Sequence, residues 1–418
     1  MTYPPQTKLL IIAHNLSPER NVGAVRVRKF IKFLPEQGVE PIVITSNDQH
    51  GLDSSIKVRV VSSLSMSSPA FYGSDLNPSS LLRRAVRYLK TILKDLLFSP
   101  DKEIWWSLKT IPTAIRLIKS ERIDVAFASG SPFSQFITLL ILKTLCKTPI
   151  IIDFRDPWSS HLTTAKQSFI RKLSINFWES KATKRADGIV AVNKLIIYEL
   201  AKYKPKGITK VITNGYDPDD FPAQAHIIER KEPFKFLYTG KYSIYREDYN
   251  PTTLFEGFKL FQQTHSAPCE LIFVGPTDKE TIKYSKDFAE YNIHCFEAMD
   301  RCKVCEMQQT ADILIHFHYP HNYTNAVSLK IYEYIFSRRP ILSFNVKEGL
   351  LYDFLKEHNL GVTASSQNVE EIAEYFKLAY EGLLIEDVKE VVPSFERFNY
   401  SNLTKELAEL IKSTVRRL

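Results

Sequence analysis

The sequence predicts an α/β protein of two doubly wound, Rossmann-like domains facing a central cleft. Three observations carry this. Runs such as KLLIIAH at 8–14, PIIIDF at 149–154 and ELIFV at 270–274 have strand length and are largely apolar, the mark of parallel strands buried on both faces. They alternate with helical patterns, which is the grammar of βαβ units. That grammar starts again near residue 234, after a polar, proline-flanked stretch without periodicity. The expected division is an N-terminal domain at 1–217, a linker at 218–233 and a C-terminal domain at 234–395. A last helix, 396–418, is expected to pack back toward the N-terminal domain. A chain of 418 residues with 44% apolar content can supply two cores.

In the first half, the strand at 8–14 leads into the loop NLSPERNVG. A helical pattern with Val25, Val27, Phe30, Ile31 and Leu34 follows, Gly38 closes it, and PIVITS at 41–46 is the next strand. There is no GxGxxG, so a dinucleotide fingerprint is not supported. Gly23 can let a phosphate approach the backbone at the helix start, or it is a plain turn glycine. Residues 57–62 alternate like an edge strand, and 63–78 read as a Ser-rich loop. SSLLRRAVRYLKTILKDLLF at 79–98 is an amphipathic pattern carrying Arg83, Arg84 and Arg87. It suits a helix lying on anionic lipid, or a solvated basic helix. Trp105 and Trp106 suit a membrane interface or an acceptor site. Strands at 124–130 and 149–154 flank a helix at 133–146. The second of these strands ends in Arg155-Asp156-Pro157-Trp158. Open α/β sheets hold ligands at the carboxyl ends of their strands, so Asp153, Arg155 and Asp156 are candidates. A structural Arg–Asp pair is the alternative. A helix at 168–185, strands at 188–193 and 210–212, and the Asn214-Gly215 turn complete this half.

The second half repeats the pattern. Strands at 234–239, 270–274, 293–297, 313–317, 340–344 and 361–364 alternate with helices near 250–264, 303–310, 329–336 and 369–379. Gly240-Lys241 and Gly275 follow the first two strands. The stretch HNYTNAVSLKIYEYIFSRRP at 321–340 reads as a loop, a helix and the approach to a strand. Its helix start, around Asn325, Ala326 and Ser328, offers free backbone N–H groups and the positive end of a helix dipole, which suit a phosphate. Glu333 is placed to accept hydrogen bonds from a ribose diol, or is an ordinary solvated carboxylate. Lys241, Arg246 and Lys330 add three cations that can hold a diphosphate.

Net charge is +8 and unevenly placed: residues 1–222 carry 32 Lys and Arg against 19 Asp and Glu. A basic first half suggests an anionic partner there, such as a membrane surface, a lipid phosphate or a polyanionic glycan. Basic residues are spread without a nucleic-acid motif, so no nucleic-acid partner is expected. Five scattered cysteines do not form a disulfide framework. Cys302 and Cys305 have metal or redox spacing but no second pair. Without eighteen consecutive apolar residues or a signal-like N-terminus, a cytoplasmic protein is expected, peripheral at most on the inner membrane face.

Five segments together resemble the retaining glycosyltransferases of the two-Rossmann GT-B architecture, most like glycosyltransferase family 4. They are NVGAVRVRKFIKFLPEQGVEPIVITS, IIDFRDPW, the pair KRADGIVAVNKLIIYEL and VITNGYDPDDF, LYTGKYSIYRED, and TADILIHFHYPHNYTNAVSLKIYEYIFSRRPIL. The resemblance implies a nucleotide-diphosphate sugar as donor, with Gly23 near its phosphate, Lys241 and Arg246 clamping the diphosphate, and Glu333 on the ribose. It implies no cofactor and no metal, and a glycan or lipid-linked acceptor in cell-surface polysaccharide synthesis. Two departures stand out. Asn325 occupies the position of the first glutamate of the family's EX7E motif, and Arg155 stands near the place of its histidine. Two alternatives share the architecture. One is a nucleotide-sugar 2-epimerase, for which His316, His318 and His321 are the only histidine cluster in the second half. The other is a non-catalytic relative that binds a glycan or partner.

Overall fold

The computed structural model describes residues 7–16, 22–47, 52–63, 97–160, 167–221, 232–246, 249–265, 267–317, 327–344, 348–364, 368–383 and 392–417, with 92 and 95. By its contacts the chain divides into two units. One is Met1–Asn214 with Tyr400–Leu418, and the other is Gly215–Asn399.

The first unit contains β1 (Thr7–Ile12), α1 (Val22–Phe33), β2 (Val39–Thr45), β3 (Lys57–Val60), α2 (Ile104–Glu121), β4 (Val125–Gly130), α3 (Ser134–Cys146), β5 (Ile150–Phe154), α4 (Phe169–Arg185), β6 (Gly188–Ala191), α5 (Lys194–Leu200) and β7 (Ile208–Val211). Its sheet is parallel, in the order β3-β2-β1-β4-β5-β6-β7. The alternation along each strand explains the apolar runs. Leu10, Ile12, Ile42, Ala126 and Ile152 face one core with α2, α3, α4 and α5. Leu9, Ile11, Val43, Phe127 and Ile151 face the other with α1 and α12 (Tyr400–Arg416). Both faces are covered, so both sets of residues must be apolar. The helix α2 departs from the sequence expectation, which left 104–121 without an element. It tolerates Pro112 in its interior and buries Trp106, Ala114 and Leu117.

The second unit contains β8 (Phe234–Thr239), α6 (Thr252–Thr264), β9 (Cys269–Val274), α7 (Lys279–Ser285), β10 (Ile293–Phe296), α8 (Arg301–Thr310), β11 (Ile313–Phe317), α9 (Leu329–Ser337), β12 (Ile341–Phe344), α10 (Leu350–Glu357), β13 (Gly361–Ala364) and α11 (Val369–Tyr380). Its parallel sheet runs β10-β9-β8-β11-β12-β13. Phe236, Tyr238, Phe273 and Ile315 pack on α6 and α11. Leu237, Ile272, Leu314 and Ile341 pack on α9 and α10. In each sheet the order reverses beside the unit's first strand, between β1 and β4 and between β8 and β11. Such switch points leave a crevice at the carboxyl ends of the strands.

Candidate functional site

In the second unit, two glycines shape the carboxyl edge. Gly240 follows β8 with φ 139°, and Gly275 follows β9 with φ 153°. A Cβ at Gly275 would overlap the Gly240 carbonyl oxygen, and one at Gly240 would collide with the Lys330 ammonium. Glycine at both positions therefore lets two loops and one lysine pack in contact. The Gly240 N–H donates to the Val274 carbonyl at 2.8 Å, which fixes the stacking.

Lys330 lies in the first turn of α9. Its Nζ donates to the Tyr238 hydroxyl at 2.9 Å and sits 4.0 Å from the centre of that ring. Burial pushes its ammonium down to about 7, with Glu333 working in the opposite direction. Glu333, one turn on, accepts from Arg301 at 3.0 Å, and Arg301 also reaches Asp220 at 2.9 Å. Burial works against the Arg301 charge, but Glu333 and Asp220 outweigh it and hold the guanidinium firmly protonated. The N-cap residue Ser328 makes no side-chain cap to α9, and its buried hydroxyl has no hydrogen-bond partner. The helix start is thus not closed by its own cap. Beneath lies a buried network. The Tyr334 hydroxyl donates to the Ile315 carbonyl at 3.2 Å and accepts from the Thr239 N–H at 3.1 Å, and Gln308 donates to the Thr239 hydroxyl at 2.9 Å. This ties α8 and α9 to the ends of β8 and β11.

The structure thus brings Gly240, Gly275 and Lys330 together, with Glu333 on the same helix. Lys241 is exposed beside Gly240. Arg246 is exposed on the following turn, its guanidinium 5.9 Å from the Tyr249 ring. Asn325 and Ala326 lie outside the described residues, as do His318 and His321. His316 is buried within the sheet, its Nδ1 3.0 Å from the Ser343 hydroxyl. Cys302 is exposed and Cys305 buried. Burial, then the Glu333 charge, pushes the Cys305 thiol up to about 12. Among the described residues there is no cluster of three or more potential metal ligands.

The first unit uses its charges differently. Asp153 is fully buried and forms a structural Arg–Asp pair, the alternative that the sequence left open, with Arg26 as its partner and not Arg155. It takes a bidentate bond from Arg26, at 2.9 and 3.0 Å, and a third bond from the Ser129 hydroxyl at 2.6 Å. Arg26 also donates to the Ile212 and Thr213 carbonyls at 2.8 and 2.6 Å. Arg155 donates to the Gly130 carbonyl at 2.8 Å and to the carbonyls of Gly23 and Ser131. Burial lowers its pKa, against the pull of Asp156 and Asp153. It joins the loop ends of β4 and β5 to the start of α1. Asp156 is half-buried next to it. Trp106 is a core residue and not an interfacial one: its Nε1 donates to the Val61 carbonyl at 2.7 Å, and it is 3% exposed. Trp105 remains 43% exposed. Arg83, Arg84 and Arg87 lie outside the described residues.

His14 was not singled out by sequence. It ends the first apolar run, at the switch point, with its ring edge-on to Trp106 at 4.7 Å. Its ring nitrogens are buried without a hydrogen bond of ordinary geometry. Burial lowers its pKa, with Asn15 opposing. A histidine closing a buried strand was the available signal.

Residues 90–220 match the family model of Glycosyltransferase Family 4. No curated protein matches the chain. Among solved structures, a glycosyltransferase from Rickettsia africae is 13% identical, with TM-score 0.68, covering 99% of this chain and 100% of its own. Anabaena Alr3699/HepE, in complex with UDP and glucose, is 13% identical with TM-score 0.60, covering 98% and 100%. WaaG, a glycosyltransferase involved in lipopolysaccharide biosynthesis, is 14% identical with TM-score 0.60, covering 96% and 99%. The architecture is that of the GT-B glycosyltransferases: two parallel-sheet, Rossmann-like domains, with a family 4 match on the first.

Proposed function

We propose that the chain is a retaining, metal-independent glycosyltransferase that moves a sugar from a nucleotide-diphosphate donor to a glycan or lipid-linked acceptor in cell-surface polysaccharide synthesis. The observation that carries the donor side is the glycine-shaped edge at Gly240 and Gly275, with Lys330 beside it and Glu333 one turn along α9. The family 4 match and the UDP and glucose bound by the Anabaena neighbour support the same reading.

In this reading the diphosphate lies on the start of α9 and on Gly240 and Gly275. Lys241, Arg246 and Lys330 offset its charge, and Glu333 accepts from the ribose while Arg301 holds it in place. The bond between the anomeric carbon and the diphosphate oxygen breaks as the acceptor oxygen bonds to that carbon. The acceptor proton passes to the leaving diphosphate. Cations and helix N–H groups stabilise the developing charge without a metal. The acceptor binds on the basic first unit, where Asp156 orients it and Arg155 shapes the loop beneath. The protein works in the cytoplasm at the inner membrane face, with Arg83, Arg84 and Arg87 toward anionic lipid.

Thermal shift against UDP, GDP, ADP, dTDP and CMP, each with and without magnesium, tests this. One nucleotide diphosphate is expected to stabilise the protein equally in both conditions, and its sugar should be transferred with the donor's anomeric configuration kept. No response to any nucleotide would point to a non-catalytic binder. Stabilisation only with magnesium, or an inverted product, would overturn the mechanism.

A further inference from the structure

We propose that the first unit holds a second site, for a phosphate-bearing ligand, at the amino edge of its sheet. There a cavity of about 330 Å³ is lined by Lys143, Lys184, Arg185, Lys206 and Arg417, with Asp187 the single carboxylate among the described residues of its wall. That carboxylate is already engaged: it takes Lys143 at 2.5 and 2.6 Å and the Ile150 N–H at 2.9 Å. Cations commonly gather at helix carboxyl ends, and α3, α4 and α12 all end near here. The arrangement nevertheless exceeds that need, because Lys206 belongs to the loop before β7 and not to a helix end.

Gly207, on the wall, lets the loop before β7 pack on the backbone of the loop before β6, since a Cβ there would overlap the Ala186 carbonyl oxygen. That close approach brings Lys206 beside Lys184 and Arg185 around one cavity. Clustered cations and room for a small group are what a phosphate requires. The site lies at the strand starts, so it is separate from the strand ends assigned to substrate.

The test is calorimetric titration of the full chain with pyrophosphate, alongside flotation with phosphatidylglycerol and with phosphatidylcholine vesicles. Both are repeated with the triple variant Lys184→Ala, Arg185→Ala, Lys206→Ala, whose side chains are exposed and not needed for folding. Pyrophosphate binding that falls at least about tenfold in the triple variant supports the site with a soluble phosphate ligand. Flotation with phosphatidylglycerol alone, lost in the triple variant, supports the same chemistry supplied by a lipid headgroup. The triple variant should keep the melting temperature of the wild type, an outcome that separates ligand contact from a structural role. Absence of binding to both probes, or binding that the triple variant leaves intact, would overturn the proposal, including the case in which pyrophosphate occupies only the donor region.

Discussion

The two sheets share one topology but treat charge at their carboxyl ends in opposite ways. At the first sheet, Arg26 and Asp153 neutralise each other in full burial, and Arg155 is bonded to backbone carbonyls. At the second, Lys330 is held against a tyrosine ring, with Glu333 alone among the described residues offsetting its burial, and Glu333 shares Arg301 with Asp220. The first arrangement fixes loops in place. The second leaves an ammonium that burial disfavours, a penalty that an anion beside it would offset. The strand order common to the two sheets thus says where a ligand crevice lies, and in the proposed reading charge balance says which crevice takes the diphosphate.

The contrast can be broken by substitution. Arg26→Met should cost about 3–5 kcal/mol, since it strands Asp153 in the core. Arg301→Met should cost only about 1 kcal/mol of stability, because that side chain is 33% exposed and solvent screens it. Denaturant titration of both variants measures the difference, and equal losses would erase the distinction. Gly275→Ala should lose about 2–3 kcal/mol and nucleotide binding together, since its φ and the adjacent carbonyl leave no room. Glu333→Ala should weaken the nucleotide by about tenfold with little change in melting temperature, the loss expected of a charged hydrogen bond. Unchanged affinity would remove the ribose role.

The smallest effect is the most specific. A diphosphate favours the protonated form of Lys330, whose folded pKa is pushed down to about 7. Binding therefore takes up a proton, and affinity should fall as pH rises. If the bound pKa is one unit higher, the loss is about sixfold between pH 6.5 and 8.5. Titration calorimetry in buffers of different ionisation enthalpy would show the proton uptake, and Lys330→Met should abolish the slope. A slope that survives in the variant assigns it to another group.

The strands were legible because burial on both faces makes each one read as a continuous apolar run. The missed helix α2 shows the limit. Pro112 interrupts its pattern, and the Trp pair at its start reads as an interface in sequence, whereas Trp106 is buried with its Nε1 on the Val61 carbonyl. At the site, Gly240, Gly275 and Glu333 could be placed from local order along the chain. The partners could not. Arg26 lies 127 residues from Asp153, and Lys330 lies 92 from Tyr238, and no local spacing records such meetings. An arginine bonded to carbonyls and one poised for substrate look alike in sequence, and only burial separates them.

The placement of α12 bears on how the protein comes into being. Its Tyr400, Leu403, Leu407 and Ile411 complete the core that also contains Leu9, Ile11 and Phe30. During synthesis the part of that face beneath α12 stays uncovered while all of residues 215–399 are made, so the core begun first is the one whose sequence is completed last.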